Sequence, residues 1–167
     1  GVAEVPFAGE TAYVMRTGYT GEDGFEVAAS PAGTLAFWDA LQSRGGRHGL
    51  VPCGLGSCDT LRLESGYLLY GADADETRTP YEAGCAWVVK LQKGDFIGRD
   101  ALIRRKEAGF KEMLTGVRLL GRGVPRHGCA VWLGSQKLGE LTSATFAPSL
   151  GTGIGVGYLA PAAWEPG

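Results

Sequence analysis

The chain has 167 residues, 44% of them hydrophobic and 10% aromatic, and its 16 Lys and Arg against 18 Asp and Glu give a formal net charge of −2. That length has room for one good core or two small ones, and the near-neutral balance carries no nucleic-acid footprint. No apolar run approaches the roughly 20 residues needed to cross a bilayer, and Gly1 to Glu10 lacks a basic region followed by an apolar core, so neither a membrane span nor an export signal is expected.

In chain order, Thr11 to Met15 reads as a strand that pairs with Phe25 to Ala29 across a glycine-rich turn. Ser30-Pro31 then supplies an N-cap and a proline at the first helical position. Leu35, Phe37, Trp38 and Leu41 give this helix an apolar face, with Trp38 as its expected core anchor, and Gly45-Gly46 ends it. Gly56 to Ser65 suits a second helix closed by Gly66, on which Asp59 and Arg62 are three apart and share a face. Thr77-Arg-Thr-Pro80 breaks regular structure, and Cys85-Ala-Trp-Val-Val-Lys-Leu91 is a β-rich run expected to form another strand. Asp100 to Ala108 reads as a short basic helix ended by Gly109. Beyond it, Met113 to Leu120, Cys129 to Leu133, Lys137 to Phe146 and Ile154 to Leu159 read as short strands between glycine-rich turns. The predicted fold class is α+β: an antiparallel sheet with packed helices, then a small antiparallel β-barrel or sandwich, with a domain boundary near Phe110.

The four cysteines, Cys53, Cys58, Cys85 and Cys129, have irregular spacings that fit neither a metal pair nor a secreted disulfide framework. They read as reduced thiols of a cytosol-like compartment. His48 and His127 are far apart in sequence, so no metal site is expected. Ser57 and Ser65 have no histidine nearby in sequence, and His48 and His127 read as loop residues rather than catalytic bases.

Two stretches carry the functional signal: Arg16-Thr-Gly-Tyr-Thr-Gly-Glu-Asp-Gly-Phe-Glu26 and Gly54-Leu-Gly-Ser-Cys-Asp-Thr-Leu-Arg-Leu-Glu64. In the first, Gly18, Gly21 and Gly24 punctuate a turn, after which Phe25-Glu26-Val27-Ala28 alternates as a half-buried strand does. Glu26 therefore starts on the face opposite Phe25 and Val27. Tyr19, in the turn leading to it, brings an aromatic ring toward the same small site.

With Gly71, Thr79-Pro80-Tyr-Glu-Ala-Gly84 and Lys93-Gly-Asp-Phe-Ile-Gly-Arg99, these motifs resemble the aminomethyltransferase family of the glycine cleavage system, the T-proteins, from about Arg16 to Asp100 and more weakly from Gly116 to Gly167. The resemblance implies that residues 1–109 are a portion of a folate-binding domain and 110–167 an incomplete β-barrel domain. It implies tetrahydrofolate as a substrate and a lipoyl-bearing H-protein as a partner, with neither nucleic acid nor membrane involved. The implied reaction moves a one-carbon unit from the aminomethyl-lipoyl arm to tetrahydrofolate and releases ammonia. The implied location is the cytoplasm in a bacterium or the mitochondrial matrix in a eukaryote.

By the same resemblance Glu26 matches the pterin-binding glutamate, a role that suits a carboxylate able to accept from a ring N–H and a 2-amino group in parallel. Read from the residues alone, a solvated strand carboxylate is the commoner fate of a glutamate such as Glu26. Tyr19 and Tyr67 match positions that could stack on folate, with ordinary turn and core packing as their other assignment. Cys58 departs from the pattern, because most T-proteins place a folate-contacting arginine there, and a thiol cannot replace a guanidinium fork. Arg62, one turn later, either reaches the same ligand or pairs with Asp59 or Glu64. The cluster Arg99, Arg104, Arg105, Lys106 and Lys111 would attract an acidic partner surface or a polyglutamate tail, unless it is simply a solvated helix face.

The family assigns its catalytic carboxylate to an aspartate nearer the N-terminus, so no catalytic residue is expected in this chain, which reads as the middle of a longer protein, inactive alone. Strands that normally follow the Glu165-Pro-Gly167 turn are likewise expected beyond it. The competing reading is a non-catalytic folate-fold module, or the folate domain of a sarcosine or dimethylglycine dehydrogenase-like protein.

Overall fold

Strand β1 (Val2–Phe7) turns at Ala8-Gly9 into β2 (Glu10–Met15), and the positive φ of both turn residues, 52° and 80°, suits a tight hairpin. In this computed structural model, which describes residues 1–165, β2 also pairs antiparallel with β3 (Glu26–Ala28), giving the order β1-β2-β3. Helix α1 (Pro31–Gly45) follows at once, its N-terminus capped by the Ser30 hydroxyl, which accepts from the backbone N of Gly33 at 3.1 Å. Phe37 meets Phe7 edge to face, with ring centroids 5.7 Å apart. The packed face of α1 therefore runs through Gly33, Ala36, Phe37, Ala40 and Leu41. Trp38 lies one residue off that face and is 50% exposed, so it is not the expected core anchor. Leu35 is exposed for the same reason. Helix α2 (Leu55–Glu64) completes this first compact unit, Gly1–Ser65.

The second unit begins at Gly66 with a stretch of turns. The strand expected over Cys85 to Leu91 is absent; Ala86–Val88 forms a single 3₁₀ turn, and Trp87 and Val88 are exposed. The β propensity of the run has no neighbouring strand to satisfy, so local i to i+3 hydrogen bonds win. Helix α3 (Arg99–Ala108) lies within one residue of its expected start. Strands β4 (Met113–Arg118), β5 (Ala130–Leu133), β6 (Gln136–Ala147) and β7 (Thr152–Leu159) form an antiparallel sheet in the order β4-β7-β6-β5. Among the described residues this sheet does not close into the expected barrel, since β4 and β5 are its edges. The Glu165-Pro-Gly167 turn ends outside the described residues. Leu138, Leu141, Ala147, Ile154, Tyr158 and Leu159 are the buried apolar residues of the sheet, with Tyr158 and Leu159, consecutive on β7, on opposite faces. Residues 66 to 112 fold onto these strands: Leu114 N donates to Glu82 O at 2.7 Å, and Tyr158 Oη donates to Asp73 O at 2.8 Å, while Arg78 pairs with Glu112 at 3.2 Å within the segment.

Candidate functional site

Glu26 opens β3 directly opposite Met15, and its carboxylate is exposed with the Thr17 hydroxyl donating to it. Both residues flank the glycine-rich turn, so the turn itself orients the acid. Arg16 closes the same turn by donating to both oxygens of Asp23, at 3.0 and 3.1 Å. That pair is exposed and adds little energy, but it fixes the shape of the loop. Phe25 precedes the strand and is exposed, whereas Val27 is half-buried, so only Val27 behaves as the alternation predicts.

The turn lies against α2. The Ser65 hydroxyl donates to Thr20 O at 3.2 Å, and Gly21, with φ +75°, approaches so closely that a Cβ there would fall 1.9 Å from Ser65 Oγ. Cys58 Sγ sits 3.9 Å from Tyr19 O, a weak thiol contact that places the cysteine beside the tyrosine's backbone. Glu26, Tyr19 and Cys58 are thus all borne by the β2–β3 turn and the helix face it covers. Arg62 is different: it is only 2% exposed, and its Nε donates to Asp59 Oδ1 at 2.8 Å. A guanidinium taken out of water needs such a partner, and the pairing foreseen as Arg62's alternative role is the one the side chain adopts. Tyr67 belongs to the second unit, where it follows the left-handed Gly66 and is partly exposed.

The second unit holds a polar centre that sequence reading misses. Asp73 is fully buried; its carboxylate accepts from Leu69 N at 2.9 Å and from the Thr142 hydroxyl, and its backbone O accepts from Tyr158 Oη at 2.8 Å. Burial pushes the Tyr158 phenol up to about 12, although Arg78, stacked 3.9 Å from its ring centroid, pulls the other way. Glu82, 1% exposed, receives Thr79 N and Oγ1 at 3.1 and 2.9 Å and Arg105 Nη2 at 2.6 Å. Burial opposes its charge, yet the bonds from Arg105 and Thr79 outweigh that and hold its carboxyl below the ordinary value. The Thr79-Pro-Tyr-Glu82 spacing matches a capping box and was the one available signal for this cluster. Asp73 had none, because Thr142 and Tyr158 lie 69 and 85 residues away.

The basic cluster is partly committed within the fold. Arg99 Nε donates to Leu91 O at 3.0 Å, Arg105 serves Glu82, and Lys106 lies 5.8 Å from the Tyr81 ring centroid. His48 accepts from Arg47 Nε at 3.1 Å, and His127 Nδ1 lies 2.8 Å from Thr142 O. Among the described residues no helix is long and apolar enough to cross a membrane.

Comparison with known proteins divides the chain later than the compact units do. The family described as the GCVT N-terminal domain matches residues 1–93, and the glycine cleavage T-protein C-terminal barrel domain matches residues 113–167. The chain is 48% identical over 90% of its length to an aminomethyltransferase of Halothermothrix orenii, and 46% identical over 95% to one of Thermosynechococcus vestitus. It spans 42% of the length of each of these curated relatives. A crystal structure of the glycine cleavage system aminomethyltransferase T from Bartonella henselae superimposes with a TM-score of 0.83 at 30% identity, covering 90% of this chain and 42% of that one.

Proposed function

The chain belongs to the glycine cleavage T-protein family, and from that premise we propose that it is the tetrahydrofolate-binding portion of an aminomethyltransferase, which moves a one-carbon unit from an aminomethyl-lipoyl protein to tetrahydrofolate and releases ammonia. The observation that carries this reading is the exposed Glu26 carboxylate, held by Thr17 at the mouth of a turn that is pinned onto α2. A carboxylate presented in this way can accept both donors of a pterin edge while Tyr19 flanks it. We assign Tyr67 to the same ligand from the resemblance, and the lipoyl-bearing H-protein as the partner. None of the residues present is assigned to the chemical step.

Cys58 occupies the family's arginine position beside Tyr19, so the folate site here lacks one guanidinium fork. The internal charge balance of Arg62 gives it no free fork to offer in exchange. We also propose 1–109 and 110–167 as the portions of the family's two domains; residues 94–112, between the two matched segments, contain Phe110. Free cysteines and bacterial relatives support the cytoplasm as the location. The dehydrogenase-like and non-catalytic alternatives have less support, because the relatives named above carry the aminomethyltransferase name.

Calorimetry with tetrahydrofolate tests the assignment. Glu26→Gln should weaken binding by about tenfold or more, and Cys58→Arg should tighten it by roughly ten- to a hundredfold, the equivalent of one charge-assisted fork. Binding that ignores Glu26→Gln in a variant with an unchanged melt would remove Glu26 from the site.

A further inference from the structure

Between Met113 and Trp164 the sequence contains a single carboxylate, Glu140, and that one is held by Lys137. Arg118, Arg122 and Arg126 share the segment with no acid to balance them, although the whole chain is net negative. Two of these arginines converge. Arg118, at the end of β4, and Arg122, in the loop that follows, line an open cleft of about 710 Å³ whose other walls include Val124, Phe146 and Leu150. Leu120, in the same loop, is fully exposed, and Val124, Phe146 and Leu150 are each partly so. Among the described residues neither guanidinium has a carboxylate within ion-pair distance.

The cleft is built rather than incidental. Leu119 N donates to Gly153 O at 2.9 Å, and Thr152 Oγ1 donates back to Leu119 O at 2.8 Å, which fastens the loop to β7. Gly153 must lack a side chain, because a Cβ there would fall 2.6 Å from Pro125 Cδ and 2.9 Å from Gly123 O. Such a fixed apolar floor with two unbalanced cations at its rim is the composition of an interface, where arginine and aromatic side chains are enriched and lone carboxylates on the same side are avoided.

We propose that this cleft docks an acidic polypeptide segment that carries apolar side chains. Its carboxylates meet Arg118 and Arg122, and a leucine or similar side chain covers Phe146, Val124 and Leu150. A small polyanion would satisfy the arginines and leave four apolar side chains in water, so charge and exposure together favour the peptide. The proposal rests on the second unit alone and is independent of the folate reading.

The test is fluorescence anisotropy of the full chain with a labelled octapeptide of five glutamates and three leucines, beside the same peptide with serine at the leucine positions. Binding should fall with salt, as screened ion pairs do. It should weaken at least about tenfold in the Arg118→Glu, Arg122→Glu double variant, and by a smaller factor in Leu120→Ser. Arg126→Glu, a single charge reversal outside the cleft, should have little effect, whereas Arg122→Glu alone should already weaken binding, and matching thermal melts establish that each variant is folded. Equal binding of the serine peptide, or competition by a γ-linked glutamate oligomer at equal affinity, would make this a simple anion site and overturn the proposal. So would binding that survives the double reversal, or sedimentation showing a dimer that Arg122→Glu dissociates, since the occupant would then be a second copy.

Discussion

Oε1 of Glu82, almost sealed from solvent, lies 2.6 Å from Nη2 of Arg105, while its other oxygen takes two donors from Thr79. This single carboxylate ties the turn at Thr79 to α3, and its backbone carbonyl receives the start of β4. Because the folded-state value is depressed, its contribution to stability is fully present above the ordinary value of 4.5 and is lost as pH falls through the folded value. Melting temperatures should therefore hold through neutral pH and decline below about pH 4.5. Glu82→Gln should lower the neutral plateau and flatten that acid limb, as a pH series of thermal melts would read out.

Tyr158→Phe should cost about 1 kcal/mol, since it deletes the bond to Asp73 O while leaving the ring and its Arg78 stack in place. The phenol also gives an alkaline signature. Its value is raised from 10.0 to about 12, so the unfolded chain loses this proton first, and the stability it confers is complete below pH 10 and lost as pH rises through 12. Tyrosinate absorbance should show a step near pH 12, and that step should vanish in the phenylalanine variant.

Gly21→Ala should destabilise the first unit by about 1–3 kcal/mol, through both the left-handed backbone and the collision with Ser65. Ser65→Gly in the same chain removes the collision and should recover part of the loss. Denaturant melts of the single and double variants separate the two terms. A Gly21→Ala loss untouched by the second change would leave backbone strain as the whole cause.

Trp38→Ala should cost less than about 1 kcal/mol, because the indole is half in solvent. Phe37→Ala should cost about 2 kcal/mol, because it deletes the ring that meets Phe7. The order of these two losses in denaturant melts reports directly which face of α1 is packed.

Local chemistry explains what was readable in advance. Ser30-Pro31 announces α1, glycines bound the turn before Glu26, and regular apolar spacing marks β4 to β7. β1 was hidden by Pro6, which weakens a strand reading and is tolerated here because the strand lies at a sheet edge. The expected apolar face of α1 was too wide: Phe37 and Leu41 lie on the packed side, while Leu35 and Trp38, rotated away from it at about 100° per residue, are exposed. The Cys85 to Leu91 run has the right residues for a strand and no partner to pair with. Of the candidate site, Glu26, Tyr19 and Cys58 were legible because one turn and one helix carry them, whereas Arg62's burial depends on surroundings that no local pattern encodes. The burial of Asp73 could not be foreseen, since beside the local Leu69 N its partners Thr142 and Tyr158 come from strands far along the chain.

The 85 residues between Asp73 and Tyr158 bear on the order in which the second unit is made. A ribosome delivers the turn-rich stretch after Gly66 well before β6 and β7, so Asp73 must wait for Thr142 and Tyr158 until both strands have emerged. Assembly of this unit is consequently slow and abrupt, set by the closing of one long loop rather than by growth from the N-terminal side, and a nascent chain stalled before Thr152 would hold its first unit's elements ahead of any of the second.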